Sequence, residues 1–173
     1  TLHLSSAASD VYKRQARPSS GNTAGRYRIA RRTREANLSM VSVVKECKIP
    51  STILMHGSLS YGHRGEDLVH TDSILNPVGY AEAYSIGERP WVDYLYSGGG
   101  VKVVRAPWVL GPGSWFEMIY CDEIIPVFGD GRQWMSLVSV ESLADFTWSV
   151  LSDEPGVYPV SYTHLRAHET DSH

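Results

Sequence analysis

The stretch GGGVKVV, Gly98 to Val104, decides the fold. Three glycines mark a turn, and the apolar, β-branched run Val101 to Val104 that follows has the character of a strand buried on both faces. A second run of the same kind, STILM (Ser51 to Met55), ends in Gly57. Between and around these strands the period changes to that of helices. In LSMVSVVKEC, Leu38, Val41, Val44 and Cys47 recur at intervals of three, with Met40 and Val43 beside them, and Lys48 and Pro50 stop the run. Ser114-Trp115-Phe116-Glu117 has the form of a capping box, and Leu143, Phe146 and Val150 mark an amphipathic helix in ESLADFTWSVL. Strands separated by helices imply an α/β fold with a parallel sheet and right-handed crossovers.

Composition bounds what such a chain can be. Its 173 residues are 42% hydrophobic and 20% charged with a formal net charge of -3, enough for one globular core and inconsistent with a disordered or collagenous chain. No apolar run approaches the roughly 18 residues needed to span a bilayer, so no membrane association is expected. Cys47 and Cys121 make neither a disulfide framework nor a metal site, and a cytoplasmic setting is expected. Charge is uneven. Lys13, Arg14, Arg17, Arg26, Arg28, Arg31, Arg32 and Arg34 face only Asp10 and Glu35 within residues 1–36. That arm lacks aromatic interleaving and an amphipathic stripe, so nucleic acid is not expected as a partner.

Three regions follow. SSAASDVYKRQ (Ser5 to Gln15) and SYTHLRAHET (Ser161 to Thr170) resemble translated sequencing-adapter read-through. The run RYRIARRTRE (Arg26 to Glu35) offers few core residues and reads as out of frame or as a poorly packed helix. Residues 1–36 are therefore expected to be a non-native or disordered basic segment, 37–160 the folded domain, and 161–173 a non-native tail.

Within 37–160, SYGHRGE (Ser60 to Glu66), NPVGYAEAYSIGE (Asn76 to Glu88), VVRAPWVLGPGSWF (Val103 to Phe116) and FGDGRQWMSLVSVESLADF (Phe128 to Phe146) stand in an order and at spacings that carry a resemblance. They are similar to the extended short-chain dehydrogenase/reductases, the NAD-dependent epimerase/dehydratase family. The resemblance implies a partial Rossmann-like parallel sheet with flanking helices. The N-terminal strands, including the Gly-rich turn that seats pyrophosphate, would be missing from this chain. It further implies NAD or NADP as cofactor, a small-molecule substrate with a carbonyl or carbinol group, and a homodimer formed through segments 38–48 and 79–97.

The site residues follow from the same resemblance. Tyr80 falls at the position of the proton-transferring tyrosine, and Tyr84, one helical turn on, at that of its partner lysine. Gly57 takes the position of the active-site serine, with Ser58 one step later and His56 a nearby alternative donor; a lone His at a strand end is ordinarily structural. Pro107 and Trp108 follow the strand that runs along the nicotinamide. Met135 occupies the place of the arginine that holds a sugar-nucleotide diphosphate, with Arg132 and Gln133 close by. Trp108, Trp115, Phe116 and Trp134 form an aromatic-rich group suited either to a flat apolar substrate or to a core. Gly98 to Gly100 precede a strand and so read as a turn, not a phosphate cradle. Pro90 is expected to break or kink its helix near Arg89. The alternatives are a non-catalytic dinucleotide-binding protein and an inactive truncated product.

Overall fold

The computed structural model describes residues 23–120, 134–160 and 163–166. Helix α1 (Thr23–Glu46) leads through a short turn into strand β1 (Thr52–Gly57) and a 3-10 turn over Ser58–Tyr61. A long loop then reaches α2 (Tyr80–Tyr96), followed by β2 (Val101–Ala106), β3 (Trp108–Leu110) and α3 (Trp115–Tyr120). Beyond it come β4 (Trp134–Ser139), α4 (Val140–Ser149), a 3-10 turn Val150–Ser152, β5 (Gly156–Pro159) and β6 (Thr163–Arg166).

The main sheet has the order β1-β2-β5, parallel throughout, with Gly57 opposite Ala106 and Val103 opposite Val157. Strand β2 is central, and every residue from Val101 to Arg105 is buried, the charged Lys102 and Arg105 included. Side chains alternate across it. Val101 and Val103 join Val41, Val44 and Trp91 on the helix α1/α2 side, while Val104 joins Val138, Val150 and Val160 on the other. Leu143 and Phe146 of α4 pack against that second cluster. A smaller sheet, β3-β4-β6, pairs β3 parallel and β6 antiparallel to β4. Residues 163–166 thus form a strand within the segment expected to be a non-native tail.

Two expectations change. The first helix does not begin near Leu38 but at Thr23, running unbroken across residue 36, so the fold has no boundary there. Its early turns pack on α2 through small groups rather than an apolar stripe. Ala30 and Gly87 are both buried; a methyl at Gly87 would lie 3.1 Å from the Thr33 methyl. Asn37 Nδ2 donates to the Gly87 carbonyl at 2.7 Å. Nor does Pro90 end its helix, since α2 continues to Tyr96 with Pro90 and Trp91 both buried. Proline removes one backbone N–H; here burial of the ring and its neighbour offsets that loss.

The Ser114 cap was legible and the Ser139 cap was not. Ser114 Oγ accepts from the Glu117 N–H at 3.1 Å, and the Glu117 carboxylate reaches back to the N–H of Gly113. Ser139 caps α4 by accepting from the Ser142 N–H at 3.0 Å.

Candidate active site

Because β1 and β2 are parallel, both strands end at one edge, and α2 begins beside it. Ser58 follows β1 at this edge, and Pro107 and Trp108 follow β2. In open α/β sheets ligands bind outside these carboxyl ends. Two of the sequence motifs meet directly. Gly62 adopts φ 71°, and a Cβ there would sit 2.2 Å from the Asn76 carbonyl oxygen, so only glycine fits. The Asn76 N–H donates to the Ser60 carbonyl at 3.0 Å, tying the Ser60–Gly62 segment to the approach to α2.

Along α2, Tyr80, Tyr84, Glu88 and Trp91 share a face. Glu88 and Trp91 are buried against the sheet, whereas Tyr80 is 54% and Tyr84 37% exposed. The cation beside Tyr80 comes from elsewhere: the Arg26 guanidinium lies 4.4 Å from its ring centroid. Tyr27 seats the same turn of α1 by donating from its hydroxyl to Glu82 Oε2 at 2.8 Å. Nothing in the motif spacing could have announced Arg26, which belongs to a different helix. Lys102 cannot serve Tyr80, because alternation turns it to the opposite face of β2, where its Nζ donates to Ser51 Oγ at 2.7 Å. Burial pushes the Tyr84 phenol above its ordinary range, so this side chain is neutral where the family pattern has an ammonium.

His56 is not isolated. Its ring stands edge-on to Tyr84, with centroids 6.4 Å apart and planes at 81°. Its Nδ1 lies 3.1 Å from Glu88 Oε2, 3.3 Å from Ser60 Oγ and 3.3 Å from an Arg105 terminal nitrogen. Arg105 in turn grips Glu88 at 3.2 and 3.3 Å and is itself fully buried, with its guanidinium 5.7 Å from the Tyr61 ring. A buried carboxylate and a buried guanidinium therefore pair as ions beneath the candidate site, with the imidazole between strand and helix, while Glu88 Oε2 and Arg105 Nε find no hydrogen-bond partner among the described residues.

The aromatic group comes together only in part. Trp108 packs edge-to-face on Phe116 and Tyr120, at 6.4 and 5.8 Å, so much of its area is spent within the protein. Trp115 is instead 46% exposed. Arg132 and Gln133 lie outside the described residues, as does the Trp134 side chain; Met135 lies on β4. Two shallow concavities lie elsewhere, one along Tyr27, Arg28, Arg31 and Arg32, the other between Asp72, Tyr96 and Gly156. Among the described residues no cluster of His, Cys, Asp or Glu could hold a metal ion. No described helix is long and apolar enough to cross a membrane.

Tyr80 and Tyr84 stand on α2 and Pro107 and Trp108 follow β2, but the glycine turn cannot cradle phosphate. A Cβ at Gly99 would lie 2.4 Å from the Tyr94 ring, and one at Gly100 would lie 2.2 Å from the Pro50 carbonyl oxygen. The protein itself fills that space. A neutral Tyr84 also cannot grip ribose hydroxyls as an ammonium does.

Parallel strands, covering helices and a cleft edge at the strand ends define a Rossmann-like α/β protein. Solved structures make this specific: the chain shares the fold of nucleotide-sugar dehydratases and epimerases. It matches dTDP-glucose 4,6-dehydratase from Bacillus anthracis with a TM-score of 0.66 at 15% identity, covering 93% of this chain and 57% of that one. It matches UDP-N-acetylglucosamine 4-epimerase from Methanobrevibacter ruminantium at 0.68 and 22%, covering 86% and 54%. A dTDP-glucose 4,6-dehydratase from Streptomyces venezuelae gives 0.72 and 16%, covering 84% and 49%. This chain thus spans about half the length of the structures it matches. No protein-family model and no curated protein sequence matches it.

Proposed function

We propose that the chain forms the catalytic-helix part of an NAD(P)-dependent epimerase, dehydratase or reductase acting on a carbonyl or carbinol carbon of a small molecule. The observation that carries this reading is the placement of Tyr80, at the start of α2, beside the carboxyl ends of β1 and β2. Among the solved structures sharing the fold, five are described as holding NAD and one as holding NADPH. Tyr80 is assigned the proton transfer at the substrate oxygen, with Ser58 as the hydrogen-bonding group across the edge and Tyr84 as a neutral neighbour. Pro107 and Trp108 would lie along the nicotinamide, and the pyrophosphate would be held outside the described residues.

A second reading, a dinucleotide-binding protein without catalysis, is favoured by Tyr84 and Gly57, which replace the ammonium and the serine of the family pattern. One set of variants separates them. In a chain that binds NAD(P), measured by isothermal titration, Tyr80→Phe should leave affinity unchanged and abolish turnover of ketones and secondary alcohols, while Tyr84→Lys should raise it. Unchanged turnover in Tyr80→Phe refutes the assignment of Tyr80, and binding without turnover in the parent and in Tyr84→Lys supports the second reading.

A further inference from the structure

His56 Nδ1 faces a group that can only donate, an Arg105 terminal nitrogen at 3.3 Å, and one that can only accept, Glu88 Oε2 at 3.1 Å. The Ser60 hydroxyl lies 3.3 Å from the same atom. Arg105 and Glu88 already pair with each other at 3.2 Å, so a neutral imidazole leaves the site without a surplus charge. Protonating the ring adds a second cation, which would compete for Glu88 Oε2 and oppose the guanidinium. One carboxylate would then serve two cations in a site where Glu88 is 4% and Arg105 0% exposed. Unpaired buried charge is among the most expensive features a fold can carry.

We infer that His56, Glu88 and Arg105 form a charge-state latch between the end of β1 and helix α2, closed while the imidazole is neutral and loosened when it is protonated. The groups facing His56 come from every described element around it: Arg105 from β2, Glu88 and Tyr84 from α2, Ser60 and Tyr61 from the 3-10 turn. Burial lowers the imidazole pKa most, Arg105 adding to this; Glu88 and the Gly57 and Tyr84 backbone pull the other way without prevailing. The latch joins β1, which leads into Ser58, to α2, which carries Tyr84.

The unfolded chain takes up this proton near pH 6.5, and the folded one resists it. The latch's contribution is therefore complete above that pH and declines below it, by up to about tenfold in the folded-to-open ratio per pH unit. Amide hydrogen exchange in β1 and α2, expressed as protection factors at pH 7.5 and 5.5, tests this in the full chain and in His56→Gln. Protection should fall more in the parent than in the variant, by up to about tenfold. Equal pH dependence in both overturns the inference. Should His56→Gln fail to fold, NMR titration of the His56 ring in the parent decides: a midpoint below 6.5 supports the latch, and one at or above 6.5 overturns it.

Discussion

Replacing Glu88 with leucine removes the only carboxylate shown to contact Arg105 and leaves a guanidinium with no exposed surface beside a neutral imidazole. Arginine cannot escape by losing its proton. Breaking one side of a buried pair costs about 3–5 kcal/mol, about a fifth or more of the roughly 5–15 kcal/mol that holds an ordinary domain together. Arg105→Met alone strands Glu88 in the same way. The double variant is a different case. With both charges gone the site is apolar, and such exchanges are often neutral or stabilising, so Glu88→Leu/Arg105→Met should be more stable than either single change. Urea unfolding followed by tryptophan emission, to which the buried Trp91 contributes, reports the cycle. At an m value of about 1–3 kcal/mol/M, a loss of about 3 kcal/mol moves the midpoint by roughly 1–3 M. A single variant within about 1 kcal/mol of the parent, or a double variant worse than both singles, would refute the argument that this pair is held by mutual need.

Gly87→Val should cost about 1–3 kcal/mol, because its side chain would press on Thr33 across the helix seam; thermal melting checks this, and a neutral outcome would mean that the seam is loose. Ser139→Ala removes the acceptor for the Ser142 N–H and should cost about 1 kcal/mol by the same measurement. Tyr80→Phe, at a half-exposed position, should change stability by no more than about 0.5 kcal/mol, so a lost activity in that variant would report chemistry rather than folding.

The sequence by itself determined the parallel strands and the Ser114 cap. Val101, Val103 and Val104 mark a buried strand by their β-branched side chains, whereas nothing in the sequence announced that Lys102, within the same run, would be buried too. The Ser114 and Ser139 caps were set by local hydrogen-bonding chemistry, of which the first was readable as a motif. What remained hidden depended on contacts between distant segments. The early turns of α1 look too basic and too poor in large apolar groups to pack, yet Ala30 meets Gly87 because smallness on both helices permits close approach. Its periodicity is invisible to any search for large hydrophobic residues. His56, Glu88 and Arg105 lie on three different elements and look like unrelated polar residues along the chain. Only the register that sets His56 opposite Arg105, and the helix that lays Glu88 over both, makes their charges interdependent. Arg26 over Tyr80 has the same origin: spacing within one helix fixes which side chains share its face, but the partner a neighbouring helix brings to that face is decided by packing alone.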